Sequence, residues 1–193
     1  MAWHAYLDLL RRQPLAVKSA LSAATFALTD AVAQSQTEDE FDAARSLRCA
    51  LYGGCYHGPA NHTMWGSWIG LERWFPGSAW GKVLQRVAVD QTLLMPMNMA
   101  VFHAWPGLTL LDWQRAKRDV EEAFWPSTTF AWCVWPLVHP INFKFVPLEH
   151  RLLVTNVCAL GVFSFATSRR PDYPEPATEN APRLPGAAPL LKA

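Results

Sequence analysis

Long apolar stretches alternate with short clusters of charge along this chain. The first runs from about residue 14 to 34 and is interrupted only by Lys18 and Asp30. Cys49 to Leu71 contains no Lys, Arg, Asp or Glu, and neither does Gln91 to Leu111. A fourth uncharged run covers Ala123 to Phe143, and a shorter one extends from Leu152 to Ser168. A helical membrane crossing needs about 20 predominantly apolar residues. The pattern therefore predicts an all-α fold, an integral membrane bundle of four principal transmembrane helices with Pro and Gly kinks. The spans fall at about 14–34, 49–71, 87–111 and 125–146, with a further apolar helix over 150–168. Residues 1–168 form one domain on this reading. The tail, 169–193, is rich in Pro, Ala and Glu and is expected to be disordered.

The run Trp132 to Pro147 reads WCVWPLVHPINFKFVP. Trp132 and Trp135 share a side of a helix, and Pro136, Pro140 and Pro147 then interrupt it. Proline removes a backbone donor and clashes with the preceding turn, so a helix in water would end here. Within a bilayer, neighbouring helices and side chains can satisfy the freed carbonyls. A kinked transmembrane helix is the expectation. In the first span Ser19, Ala23, Ala27 and Ala31 recur every fourth residue, a spacing that lets two helices approach closely in lipid. The second span holds Gly53, Gly54 and Gly58, which suit close packing for the same reason. Ala23, Ala27 and Gly58 are the helix-packing candidates.

The sequence W-x-x-W-P-x-x-H-x-x-N-F-x-x-V-P, carried by Trp132, Trp135, Pro136, His139, Asn142, Phe143, Val146 and Pro147, resembles the signature of the Mpv-seventeen/peroxisomal membrane protein family. That family usually has Gln in place of His139. Further matches are Trp3, Tyr6, Leu10 and Pro14 at the start, then Asp30 and Gln34, and Gly58-Pro59 with His62. Arg86, Asp90, Gln91 and Pro96 follow, and Arg151 stands after Pro147 as the family pattern has it. The family's closing W-x-x-Y-L-S is replaced here by Val162, Phe165, Ala166 and Thr167. The resemblance implies a multi-pass protein of an organelle membrane, the mitochondrial inner membrane or the peroxisomal membrane. It further implies a channel for small solutes contributing to organelle homeostasis and reactive-oxygen metabolism. With the family pattern starting at Trp3, targeting is expected to be internal.

Composition changes this picture little. Charged residues make up 17% of the chain, below the roughly 25% of soluble domains. The formal net charge of +1 gives no reason to expect a nucleic-acid partner. The expected partners are membrane lipids, small solutes and further copies of the same chain. Ten Trp residues suit membrane interfaces. Cys49, Cys55, Cys133 and Cys158 form no C-x-x-C pair and are expected as buried free thiols.

Polar side chains inside the spans are costly and usually face the bundle interior or a water-filled path. They are Asp30, Gln34, His57, Asn61, His62, Asp90, Gln91, Asn98, His103, His139, Asn142 and Lys144. Asp30, Gln34, Asp90, Gln91, His139 and Asn142 are the leading candidates, either lining a pore or joining helices by hydrogen bonds. His57 and His62 stand five apart, which does not align well on a helix, and no Glu or Cys completes an obvious metal set, so no metal is expected. No nucleophile elbow, zinc-protease motif or phosphate-binding glycine loop occurs, so neither a cofactor nor an enzymatic activity is expected. The alternative to a channel is a non-conducting scaffold that binds membrane proteins or lipids through the small-residue stripe.

Overall fold

The computed structural model describes residues 2–37, 40–66 and 70–168. The described residues are helical or lie in short connections, without strands, so the fold is all-α. The expected disordered tail at 169–193 lies outside the described residues.

Helix α1 (Ala2–Arg12) leads almost directly into α2 (Pro14–Thr37). Gln13 N–H donates to Leu9 O at 2.8 Å and Val17 N–H to Gln13 O at 3.1 Å. Pro14 opens α2, a position where proline's fixed φ is already helical. The second apolar segment contains α3 (Ala43–Leu51), a π turn (Tyr52–His57) and α4 (Gly58–Gly66). A single turn, α5 (Leu71–Trp74), leads to the third segment. That segment is again interrupted, as α6 (Trp80–Val89), a π turn (Asp90–Leu94) and α7 (Met95–Thr109). Helix α8 (Trp113–Phe145) and helix α9 (Arg151–Ser168) complete the chain.

The connections follow from local chemistry. Asp42 and Asp112 are N-caps, accepting Arg45 N–H at 2.8 Å and Arg115 N–H at 2.9 Å. Between α7 and α8, Leu111 adopts a positive φ of 55° while Asp112 N–H reaches back to Gly107 O at 2.8 Å. A Cβ on Gly107 would stand 2.3 Å from the backbone N of Ala116. The tight hairpin thus needs glycine there. Pro126, Pro136 and Pro140 all lie inside α8, which continues through them and stops only at Phe145. Val146, with ψ 127°, is extended, as expected for a residue ahead of a proline.

The helices run between two ends of the bundle. One end gathers α1, α5 with the loop into α6, and the α8–α9 turn, where Trp3 stacks on His150 and Lys144 donates to Ser78 O. The other gathers α3 and the end of α7, where the Trp105 indole donates to Arg48 O at 2.9 Å. Two apolar clusters hold the middle. One comprises Trp65, Leu71, Val83, Val87, Leu94, Phe143 and Leu152, and the other Met95, Ala131, Trp135 and Ala159.

The interior is otherwise unusually polar. Lys18, Ser22, Asn61, Arg86, Thr128, Thr155 and Asn156 are buried, while Leu28, Leu93, Trp125, Leu137, Ile141 and Val157 are exposed. Among the described residues, Pro14–Gln36 is long and apolar enough by length and composition to cross a membrane, and Arg151–Val162 is a shorter apolar helix. The other two apolar segments are divided by their π turns, and α8 begins with the charged run Arg115 to Glu122.

The cysteines depart from expectation. Cys49 and Cys158 are half-buried and Cys55 and Cys133 exposed. A thiol needs little from its surroundings, and Cys133 Sγ meets the Thr129 carbonyl of its own helix at 3.4 Å. The first part of the small-residue stripe of α2, Ser19 and Ala23, packs within the chain. A Cβ on Gly53 would lie 2.4 Å from Ser22 O, and one on Gly58 2.7 Å from Ser19 Cα. Ala23 packs beside Gly54, whose added Cβ would meet its Cβ at 3.3 Å.

Gly58→Ala is therefore expected to destabilise the fold by about 1–3 kcal/mol through overpacking. Gly161, on α9 with nothing within 4 Å of an added Cβ, should tolerate the same change or gain from it. Unfolding of both variants in detergent micelles, compared with the parent chain, checks this contrast.

Candidate functional site

Asp90 begins the second π turn and is buried among three partners. Its Oδ1 accepts the Trp65 indole N–H at 2.8 Å, and its Oδ2 accepts the Gln91 side-chain amide at 2.9 Å. His139 Nε2 stands 3.3 Å from the same Oδ2, within ion-pair distance of the carboxylate. The imidazole is held by its neighbours on α8. Trp135, His139 and Phe143 repeat at four-residue intervals and stack, with centroids 5.2 Å apart in both pairs. Trp65 closes the group edge-on at 5.6 Å from the His139 ring. Trp132, placed by the sequence on the same side as Trp135, instead sits half-out at the rim. Its indole donates to the Gln91 carbonyl at 3.0 Å, anchoring α8 to the π turn.

Asp90 and His139 line a cavity of about 320 Å³. Its polar wall also includes His57, Asn61, Asn98, His103, Ser127 and Thr155, and its apolar wall Phe26, Tyr52, Met95, Met99, Phe102, Phe130 and Val162. Both π turns contribute, through Tyr52 and His57 in one case and Asp90 in the other. Such turns displace side chains from α-helical register and recur at functional sites. His139 Nδ1, Asn98 Oδ1 and Gln91 Oε1 are buried without a partner among the described residues. Liquid water occupies about 30 Å³ per molecule, so the cavity has room for roughly ten.

The other leading candidates lie elsewhere. Asp30 and Gln34 join across one turn of α2 at 2.6 Å, where Asp42 at the head of α3 meets Gln34. Asp30 also accepts Ser46 Oγ–H at 2.6 Å and Arg45 Nε–H at 2.8 Å. Gln34 Oε1 accepts Asp42 N–H at 2.6 Å, and its amide donates to Asp42 O at 3.1 Å. This set fastens one end of the bundle and does not reach the cavity. Asn142 fastens α8 to α9, donating to Arg151 O at 3.1 Å and Thr155 Oγ1 at 3.0 Å.

Arg151 returns toward α8, donating to Val146 O and Phe143 O at 3.1 Å each, and pairs with Glu72. Arg86 pairs with that same Glu72 oxygen. His62 faces Lys18 at 3.3 Å, Asn156 donates to Ser22 at 3.1 Å, and His103 meets Ser127 at 2.9 Å. Sequence reasoning missed Trp65, Ser46, Arg45, Glu72, Ser22 and Asn156. Each meets its partner across a long separation or a turn, so spacing alone carried no signal. Ala27 is half-buried on α2.

Comparison with known proteins agrees with the signature residues. Residues 108–166 match the Mpv17 / PMP22 family. Protein sym-1 of Neurospora crassa is 32% identical over 165 residues, covering 83% of this chain and 93% of the relative. Protein sym1 of Aspergillus oryzae is 34% identical over 160 residues, 81% of this chain and 90% of the relative. Peroxisomal membrane protein 2 of Bos taurus is 28% identical over 172 residues, 84% and 86% of the two chains. No solved structure matches. The chain belongs to the Mpv17 / PMP22 family, whose members are organelle membrane proteins.

Removing the Asp30 carboxylate strips Ser46 and Arg45 of a shared acceptor. Asp30→Ala is expected to cost about 2–4 kcal/mol, discounted toward the lower end because Arg45 is partly exposed. Asp8→Ala, which breaks the exposed Arg12–Asp8 pair of α1, should change stability little. Unfolding curves of the two variants side by side test the distinction.

Proposed function

We propose that this protein is a multi-pass organelle membrane protein whose bundle forms a weakly selective channel for small solutes. Its principal spans would be α2, α3–α4, α6–α7 and α8, with α9 beside them. The observation that carries the reading is the central cavity, polar where Asp90 and His139 face it, in a bundle whose outside is apolar. A protein bathed in water buries Leu and exposes Arg and Asp. Here Arg86, Asp90 and Lys18 are inside while Leu137, Ile141 and Trp125 are outside, the distribution suited to lipid contact.

The mitochondrial inner membrane or the peroxisomal membrane is the proposed location. The name of the bovine relative supports the second, and the family resemblance supports both. A mixed wall of aromatic, thioether, amide and imidazole groups has no ring of like charge to impose strong ion preference. No catalytic step is proposed. The alternative is a non-conducting scaffold that binds membrane proteins or lipids; of its small-residue stripe, Ser19 and Ala23 pack on Gly54 and Gly58 of the same chain.

Single-channel recording in planar bilayers, with Asp90→Asn alongside the parent, tests the proposal. Conductance that changes in size or ion preference supports a pore with Asp90 on its path. Conductance that ignores the substitution keeps the pore and leaves Asp90 a joint between helices. Silence from both proteins, with their fold verified, rejects the channel in favour of the scaffold.

A further inference from the structure

A second cavity, of about 350 Å³, opens at the bundle end formed by α5, the following loop, α6, the end of α8 and the start of α9. Arg86, Arg151 and Lys144 line it together with Glu72. Three cations thus face one carboxylate among the described residues. The two guanidiniums are withdrawn from solvent, with side-chain exposures of 1% and 8%, and both engage a single oxygen of Glu72. One carboxylate charge cannot neutralise two guanidiniums, and excess buried charge is costly unless an opposite charge joins it.

The donor inventory points the same way. A guanidinium carries five N–H groups. Arg86 directs its own toward Lys82 O, Glu72 and Gly77 O, and Arg151 toward Val146 O, Phe143 O and Glu72. Each retains N–H groups with no acceptor among the described residues. Lys144 stands at the mouth, half-buried, its ammonium donating to Ser78 O and lying 5.1 Å over the Trp80 ring.

We infer that this cleft binds a phosphate group. Paired guanidiniums present forked donors that match phosphate oxygens, and an ammonium adds a mobile point charge. A phosphate's double negative charge would balance the excess of two positive charges left by Glu72. The group could belong to a lipid headgroup, because the site lies level with the ends of α8 and α9, or to a free phosphate. The inference does not depend on whether the bundle conducts.

Full-length protein in neutral detergent, titrated with inorganic phosphate and followed by phosphorus NMR and thermal unfolding, tests the first source. Nanodiscs of phosphatidylcholine with and without phosphatidic acid test the second. Saturable phosphate binding that Lys144→Ala weakens about tenfold and Glu72→Gln strengthens would establish the site with a free phosphate. Stabilisation by phosphatidic acid alone, diminished in Lys144→Ala, would establish it with a lipid phosphate. No response to either probe, or a response that Lys144→Ala leaves unchanged, would overturn it. Lys144 is half-buried at the rim, so its variant should fold and keeps the test decisive even if Glu72→Gln does not.

Discussion

The Asp90 carboxylate is the constraint around which the middle of this bundle is arranged. Almost wholly withdrawn from the bulk, and open only to the cavity, it needs donors around it, because an unpaired buried charge is among the most costly things a fold can contain. The donors are the Trp65 indole on α4 and the Gln91 amide beside it, and the His139 ring on α8 stands against the same carboxylate at 3.3 Å. Meeting that requirement fixes how α4, the second π turn and α8 stand to one another. The ring stack from Trp135 to Phe143 then sets the face α8 turns inward, and the cavity is the space left beside it.

Close backbone approach is the companion constraint. Gly53 and Gly58 bring the second segment against α2 at Ser19 and Ser22, where any side chain would collide with backbone. In lipid, apolar burial gives helices no reason to associate, so close packing and hydrogen bonds must do it. Both occur at the same place, since Ser22 Oγ also accepts the Asn156 amide from α9 at 3.1 Å. The first π turn lies within this contact, and Tyr52 and His57 on it extend into the cavity wall.

How much of this could be read beforehand depended on the range of each interaction. Asp30 with Gln34, and Trp135 with His139 and Phe143, meet at four-residue spacing, which any helical reading captures. Trp65 with Asp90, or Arg151 with Glu72, join residues that only the folded chain brings together. The π turns were illegible because they arise from packing rather than propensity. The prolines of α8 interrupt a helix by intrinsic tendency, yet α8 passes through three of them, as the expectation of one helix across this stretch required, and yields only ahead of Pro147. The cysteines misled because the rule that free thiols are buried assumes water outside. Where the outer face carries Leu137, Ile141 and Trp125, a thiol such as Cys133 can sit among them.

The candidate polar residues then divide by position, and the division bears on their roles. Near one end, both oxygens of Asp30 accept hydrogen bonds and Gln34 uses its carbonyl and amide groups, the mark of a joint optimised for stability. In the middle, His139 Nδ1, Asn98 Oδ1 and Gln91 Oε1 are buried without partners among the described residues. A fold selected only to stay together gains nothing from leaving such atoms unsatisfied, since each costs more than an apolar replacement would. Local rules are broken most often where a structure serves something other than its own stability. Other such atoms lie elsewhere, Tyr6 Oη and His150 Nδ1 at the α1 end and Asn142 Oδ1 at the α8–α9 joint, but His139 and Asn98 belong to the cavity wall and Gln91 stands beside Asp90, which makes the cavity a place to look for function.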